Sequence, residues 1–124
     1  MRLEKDFATV ISDGDIIFYN TGFYVDDGFL VILNGKNHLF TDGRYIESAV
    51  KKANARCYLI KDFPLINFLK SNGVKSVGLL YDHSSVELYL DLTSNGFEVC
   101  NVTESFNKIQ KLPLKYLKNT AIRL

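Results

Sequence analysis

The sequence predicts a single α/β domain, in which a mixed β-sheet of about five or six strands carries helices packed on its faces. Short apolar segments typical of buried strands recur along the chain, and amphipathic helical segments separate the later ones. A hairpin followed by alternating helices and strands indicates both antiparallel and parallel neighbours in one sheet. The length of 124 residues fits one domain, and a hydrophobic content of 47% is enough to form a core.

The first 20 residues leave two interpretations open. Phe7 to Ile11 has the apolar character of a first strand. Asp15 to Tyr19 is compatible with a second strand or with one helical turn.

The clearest element is a β-hairpin. Apolar runs at Phe29 to Leu33 and at His38 to Thr41 flank Asn34-Gly35. Because Asn and Gly tolerate positive φ, this dipeptide predicts a tight turn between two antiparallel strands.

A helix is predicted at Arg44 to Asn54, and Thr41 or Asp42 can cap it. Its apolar face is predicted to hold Tyr45, Ile46, Ala49, Val50 and Ala53. A strand at Arg56 to Ile60 follows. Pro64 suits the first turn of a second helix that ends near Asn72, with Gly73 as its stop.

The remaining elements repeat this alternation. Ser76 to Tyr81 is typical of a buried strand, and Phe97 to Val102 of a last strand. Between them, Ser84 and Glu87 have the spacing of a capping box for a third helix that ends at Gly96. Its inward residues are predicted to be Val86, Tyr89 and Leu90.

Composition limits the function classes. The formal net charge of +1 gives no field that favours nucleic acid, and no apolar run is long enough for a membrane span. The start MRLEKDF lacks a signal-peptide pattern, so a cytoplasmic location is expected. Cys57 and Cys100 lack CxxC spacing, and both are predicted to be reduced, buried, small apolar side chains.

The tail differs from the rest of the chain. From residue 106 onward its charged residues are basic, and Pro113 interrupts any long helix. They are Lys108, Lys111, Lys115, Lys118 and Arg123. A solvated connector is the favoured interpretation, and a basic helix for a membrane or a nucleic acid is the alternative.

Two acidic clusters have the residue types of a metal site or an acid–base pair. They are Asp13-Gly14-Asp15 and Asp26-Asp27-Gly28. Asp and Gly are also standard turn residues, and both clusters occur where turns are needed. Turn formation is therefore the favoured interpretation.

The run Asp82-His83-Ser84-Ser85 contains the residue types of a catalytic triad. Residues adjacent in sequence do not point at one another, so a strand-to-helix turn explains the run better. His38 is the one other histidine, and two distant histidines with two isolated cysteines make a zinc site improbable.

The run Thr41-Asp42-Gly43-Arg44-Tyr45 is a third candidate. Gly43 permits a close backbone approach, and Arg44 has a guanidinium fork suited to a carboxylate. Physical reasoning alone favours a local role, in which Asp42 caps the helix, Arg44 pairs with a nearby acid and Tyr45 packs in the core.

Three ordered segments resemble the N-terminal domain of the creatinase/prolidase family, which includes Xaa-Pro aminopeptidases and prolidases. TDGRYIESA at residues 41–49 is similar to the family pattern TDGRY…QA. FYNTGFYVDDGFLVI at 18–32 resembles RYLTGF…G.LLV, with Thr21, Gly22 and Phe23 identical. VGLLYDHSSVELYLDL at 77–92 and GFEV at 96–99 resemble the family's later strand and helix and its last strand.

This resemblance covers about residues 6–102 and implies a ribonuclease-H-like fold with a mixed sheet. It also implies that DGDIIFYNTG at 13–22 is a turn-rich entry segment. The family continues into a catalytic domain, where two aspartates, one histidine and two glutamates hold two divalent metal ions (Mn, Co or Zn). No such ligand set follows the recognisable part of this chain, so we expect no cofactor and no catalytic residue within it.

We accordingly expect a domain at 1–105 and a basic connector at 106–124, cut from a longer enzyme that hydrolyses proline-containing peptides. The resemblance implies that this domain serves oligomerisation and closes over the active site. Its partners would be its own catalytic domain and a second subunit, with no membrane and no nucleic acid. The candidate substrate or interface residues, expected to lie near one another, are Tyr19, Thr21, Gly22, Asp26, Asp27, Asp42, Arg44 and Tyr45.

Two other function classes remain as alternatives. A stand-alone interaction or chaperone-like module of the same fold is favoured by the basic tail. A hydrolase that uses Asp26, Asp27 or Asp42 has the least support.

Overall fold

Six strands form the centre of the molecule in a computed structural model that describes residues 6–110. They are β1 (Phe7–Ile11), β2 (Phe29–Leu33), β3 (Lys36–Thr41), β4 (Arg56–Leu59), β5 (Ser76–Leu79) and β6 (Glu98–Asn101). All six belong to one sheet in the order β4-β3-β2-β1-β5-β6. The predicted fold class, a mixed sheet of five or six strands with helices on its faces, is confirmed.

Five α-helices accompany the sheet within the described residues. They are α1 (Gly14–Thr21), α2 (Ile46–Lys52), α3 (Leu65–Ser71), α4 (Val86–Ser94) and α5 (Thr103–Gln110). As predicted, Pro64 precedes α3, and Gly73 has a φ of 73° just after its end. In this part of the chain no helix is long and apolar enough to cross a membrane.

The strand directions define one end of the sheet. β2 runs antiparallel to both β1 and β3, while the other neighbouring pairs are parallel. Five strands therefore finish, and β2 begins, at the same end, which we call the carboxyl end of the sheet. Ligand sites of open α/β sheets lie at this end, so the loops here are the first place to look for function.

The two faces of the sheet bury separate cores. One core contains Phe68 and Leu69 of α3 together with Leu88 and Leu92 of α4. The other contains Ile16 and Ile17 of α1, Ala49 of α2 and Phe106 of α5. Successive residues of a strand point to opposite faces, which explains why Leu39 joins the second core and Phe40 the first.

The predicted hairpin is confirmed. Leu33 pairs with Lys36 across the turn, and Asn34 and Gly35 have φ values of 54° and 75°. A two-residue hairpin turn whose twist matches that of its strands can require positive φ angles at both of its central residues, and both are positive here.

The segment between β1 and β2 is more regular than the family pattern implied. The resemblance implied a turn-rich entry at residues 13–22, and Asp15 to Tyr19 was expected to form a strand or one helical turn. The structure instead has the eight-residue helix α1. The Asp13 carboxylate accepts hydrogen bonds from the backbone N–H groups of Asp15 and Ile16. This cap, together with the burial of Ile16 and Ile17, stabilises the helix.

The third helix predicted from the sequence is α4 in the structure, and its prediction is wrong in two respects. Its cap is Ser85, whose hydroxyl accepts from the Leu88 N–H, so Ser84 and Glu87 form no capping box. Its inward residues are Leu88 and Leu92. The residues predicted to point inward are exposed: Val86 by 73%, Tyr89 by 38% and Leu90 by 56%.

The helix predicted to begin at Arg44 also differs in its start and in its buried face. α2 begins at Ile46, and Tyr45 at its N-cap position provides no side-chain hydrogen bond. The Asp42 carboxylate instead accepts from the Arg44 N–H in the turn before the helix, so neither Thr41 nor Asp42 caps it. Ala49 is buried as predicted, whereas Val50 is 64% exposed.

The cysteines and the tail complete the comparison. Cys57 is half-buried and Cys100 is exposed, so the prediction of burial is wrong for Cys100, which lies on the edge strand β6. The predicted connector at 106–124 lies mostly outside the described residues. The predicted boundary at residue 105 falls within α5, whose Phe106 is buried, and it stays a prediction.

Candidate functional site

The loops at the carboxyl end of the sheet bring together residues that are distant in sequence. The turn before β2 lies beside the turn after β3, because Phe29 pairs with Phe40. Gly28 makes this approach possible, since a Cβ atom there would collide with the carbonyl oxygen of Phe40. Asp26 and Asp27 are thereby held next to the run that follows Thr41.

Arg44 and Asp42 form a closed pair in that run. The Arg44 backbone N–H donates to Asp42 Oδ1 at 2.9 Å, and the side-chain Nε and Nη2 donate to Oδ2 at 3.1 and 2.7 Å. The guanidinium is therefore fixed by its own turn. This agrees with the local role that physical reasoning favoured for Arg44.

Two further residues complete what we call the Arg44 cluster, made of Asp27, Asp42, Arg44 and Tyr45. Arg44 Nη2 lies 3.8 Å from Asp27 Oδ2, and the guanidinium carbon lies 4.9 Å from the centre of the Tyr45 ring. The side chains of Arg44 and Asp27 are 63% and 84% exposed. The cluster thus presents an oriented cation and an acid to the surroundings of the domain.

The hydrogen bond between Arg44 and Asp42 shifts the pKa of both groups. The hydrogen bond from the Arg44 side chain lowers the pKa of Asp42, and the same bond raises the pKa of Arg44. Both shifts favour the charged forms. The ion pair of Arg44 and Asp42 is therefore suited to binding a polar or charged partner.

Thr21-Gly22, the remaining predicted site segment, lies at the carboxyl-terminal end of α1. The Thr21 carbonyl accepts from the Asn54 N–H at 2.7 Å, and Asn54 follows α2 whereas Arg44 precedes it. Ten residues that are mostly helical separate those positions by roughly 15 Å. The expectation that all three segments lie near one another therefore holds for Asp26-Asp27 and Arg44-Tyr45, and not for Thr21-Gly22.

Thr21 and Gly22 have clear structural contacts. Thr21 is 2% exposed, and its hydroxyl lies 2.8 Å from the Ile17 carbonyl oxygen and accepts from the Phe23 N–H. Gly22 has a φ of 78°, and its N–H donates to the Phe18 carbonyl. These contacts end α1. Tyr19, one turn earlier on α1, is 40% exposed.

Sequence reasoning missed one pair at the carboxyl end. Nδ1 of His83 lies 3.2 Å from Oδ2 of Asp13, and both side chains are mostly buried, with 15% and 29% exposed. Asp13 follows β1 and His83 follows β5, which are neighbouring parallel strands. Knowing that β1 pairs with β5 would have predicted this contact, but the sequence does not show which strands are neighbours.

Two buried hydroxyls lie near the same loops. Thr41 Oγ1 and Ser84 Oγ have no hydrogen-bond partner within the described residues. A groove of about 750 Å³ lies alongside α4, and its polar lining includes Ser12, Glu87 and Asp91. Among the described residues its lining contains no lysine, arginine, histidine or cysteine.

The described side chains do not fit the two-metal site that the resemblance implies for the family's catalytic domain. Across residues 6–110, no group of three or more His, Cys, Asp and Glu side chains is arranged to hold a metal ion. The carboxylate nearest to Arg44 is already engaged by its guanidinium, which opposes its use as a metal ligand.

Comparison with known proteins gives a family match and a consistent set of folds. The family model described as the creatinase/prolidase N-terminal domain matches residues 1–111. No curated protein matches the chain.

Solved structures match at low sequence identity. The X-Pro aminopeptidase from Thermotoga maritima has a TM-score of 0.69 at 18% identity, over 82% of this chain and 32% of that one. A proline dipeptidase from Streptococcus pneumoniae has a TM-score of 0.67 at 24% identity, over 86% of this chain and 87% of that one. The prolidase from Pyrococcus furiosus has a TM-score of 0.70 at 13% identity, over 82% of this chain and 32% of that one.

At these identities the similarity shows the shared fold. The chain spans about a third of the Thermotoga and Pyrococcus proteins, and most of the shorter Streptococcus chain.

Proposed function

This chain belongs to the creatinase/prolidase N-terminal domain family, and on that premise we propose that it is the non-catalytic N-terminal domain of a Xaa-Pro metallopeptidase. Its part is to pack against the catalytic domain or a second subunit and to close over the active site. The reaction itself, hydrolysis of proline-containing peptides, belongs to the catalytic domain.

The Arg44 cluster is the observation that carries this proposal. It is exposed, charged and held rigidly at the carboxyl end of the sheet, as a contact surface requires. An arginine fixed by its own turn loses less conformational freedom on binding than a free one. Arg and Tyr are also the residue types that most often anchor interfaces.

The partners follow from the same proposal. Two divalent metal ions (Mn, Co or Zn) would be held by the catalytic domain. In a two-metal site such ions would polarise the peptide carbonyl and activate a water molecule. The present domain would limit the length of the peptide and exclude water during the reaction. We place the enzyme in the cytoplasm.

Arg44→Ala in the full-length enzyme tests the role of the cluster. We expect lower Xaa-Pro peptidase activity or a smaller oligomer, with the thermal midpoint nearly unchanged because the side chain is exposed. Arg56→Ala is the matched control, because Arg56 is also exposed but begins β4 at the opposite end of the sheet.

Two results would count against the proposal. A lower midpoint together with full specific activity of the folded fraction would make Arg44 a structural residue. Proline-specific cleavage by the 124-residue chain itself, with stoichiometric Mn, Co or Zn, would show that it is an enzyme. If the chain instead suppresses aggregation of unfolded proteins and Arg44→Ala has no effect in the enzyme, the chaperone-like alternative gains support.

A further inference from the structure

A small apolar cavity at the carboxyl end of β5 has no role in the function proposed above. We call it the tyrosine cavity; its volume is about 270 Å³, and it is lined by Leu79, Tyr81, Ser84, Ser85, Val86 and Tyr89. It opens to the surface, because Tyr81, Val86 and Tyr89 are exposed by 44%, 73% and 38%. It lies on the face of the sheet that α4 covers, whereas the Arg44 cluster adjoins α2 on the other face.

Two aromatic rings form the walls of this cavity. The centroids of the Tyr81 and Tyr89 rings are 6.1 Å apart, and the ring planes are at 87° to each other. This edge-to-face contact is a favourable arrangement of two aromatic side chains, so each ring holds the other in place without a ligand. Walls that are already in position lose little conformational freedom when a ligand binds.

The size and the lining of the cavity exclude most classes of ligand. Pockets for drug-sized molecules measure roughly 300–1,000 Å³, so this smaller space suits a single ring or side chain. Among the described residues its lining contains no acidic, basic or amide side chain. A charged group that entered would lose its hydration without gaining a partner. The group that enters should therefore be apolar and uncharged.

Within a polypeptide, proline meets these conditions best. Its ring is apolar and it has no backbone N–H, so its burial leaves no donor without a partner. The carbonyl groups beside it still need donors, and the hydroxyls of Tyr81 and Tyr89 can supply them. Proline-containing segments dock in aromatic-lined grooves in this way, because their extended helix is already formed before binding.

We propose that the tyrosine cavity binds a proline residue within an extended segment of another polypeptide. The proline ring packs against Tyr81 and Tyr89, and their hydroxyls donate to the neighbouring carbonyl groups of the segment. This inference does not rest on the proposed function, since it uses the chemistry of the cavity alone. Its failure would leave the role of the Arg44 cluster unaffected.

A peptide titration of the full chain tests the proposal. The probe is hexaproline with an acetylated amino end and an amidated carboxyl end, and hexa-alanine with the same blocked ends is the matched control. We expect hexaproline to shift the backbone N–H signals of Tyr81, Val86 and Tyr89 in two-dimensional NMR spectra until they saturate. Hexa-alanine should bind at least about tenfold more weakly.

Variants of one helix identify the surface involved. Tyr89→Ala removes a wall of the cavity and should weaken hexaproline binding by about tenfold. Tyr89→Phe keeps the ring and removes the hydroxyl, so its loss should be smaller. Both should fold, because the side chain is partly exposed. Leu90→Ala is the matched control, since Leu90 is 56% exposed and lies outside the lining, and it should leave the affinity unchanged.

Four results would overturn the proposal. The first is the absence of saturable shifts with hexaproline, and the second is equal affinity for the two peptides. The third is an equal loss of affinity in Tyr89→Ala and Leu90→Ala. The fourth is a shift of the same signals when the concentration of the chain is raised without peptide, which would identify a second copy as the occupant.

Discussion

Asp13 and His83 are 70 positions apart in the sequence, and the imidazole Nδ1 of His83 lies 3.2 Å from Oδ2 of Asp13. The other carboxylate oxygen of Asp13 caps α1. One side chain therefore joins the start of α1 to the loop that leads into α4. Since those helices cover opposite faces of the sheet, the contact ties the two layers together between the central strands β1 and β5.

Asp13→Ala should destabilise the domain by about 1–2 kcal/mol, because it removes both the cap of α1 and the partner of His83. Asp15→Ala is the control, since Asp15 is an exposed residue of the same helical turn. Urea unfolding of Asp13→Ala, His83→Ala and the double variant measures the coupling between the two side chains. Strictly additive effects would show that the contact contributes nothing.

Leu92→Ala should cost about 2–5 kcal/mol, because the side chain is fully buried between α4 and the sheet and its removal leaves a cavity. Leu90→Ala on the same helix should have little effect, since Leu90 is 56% exposed. The free energy of unfolding of each variant decides the matter. Equal losses would mean that the orientation of α4 is wrong.

Gly35→Val should destabilise the fold by about 1 kcal/mol or more, because a β-branched residue disfavours the φ of 75° at this turn. No atom lies within 4 Å of a Cβ placed there, so the loss is one of backbone conformation and not of space. Gly43→Val is the matched control, because its site is equally open and has no positive φ. Chemical denaturation compares the two, and an unchanged Gly35→Val protein would contradict the turn assignment.

The stability of the protein should depend on pH through His38. The centroid of its ring lies 5.3 Å from the centroid of the Phe68 ring, and Nδ1 lies 2.8 Å from the hydroxyl oxygen of Tyr58. Burial lowers the pKa of His38 below its ordinary value of 6.5, and the charges of Arg56 and Lys36 act in the same direction. The unfolded chain then binds the proton more readily than the folded one, so the free energy of unfolding should fall as pH drops below about 6.5.

His38→Gln removes this titration while keeping a side chain that can bond to Tyr58. Every other ionisable group is shared by the two proteins, so the difference between their pH profiles of unfolding free energy reports His38. The unaltered protein should lose more stability than the variant between pH 7 and pH 5, a range that spans the ordinary histidine pKa. Parallel profiles would show that His38 stays neutral or solvated in both states.

Part of the site could be predicted from the sequence, because its residues are neighbours in the chain. Asp42 and Arg44 are two positions apart, and the Arg44 pairing with a local acid is the contact that the structure has. Asp27 joins them only because Gly28 lets the turn before β2 approach the end of β3. Thr21 and Gly22 resemble the family equally well, yet their contacts place them at the other end of α1.

The sequence by itself determined the features that depend on nearby residues. Asn34-Gly35 set the hairpin and its register, and the alternation of helix and strand set the mixed sheet. The tertiary structure decided which face of α4 is buried, because Val86, Tyr89 and Leu90 satisfy helical spacing as well as Leu88 and Leu92 do. It also decided the meeting of Asp13 with His83, since the pairing of β1 with β5 arises from the packing of the whole sheet and not from any local preference.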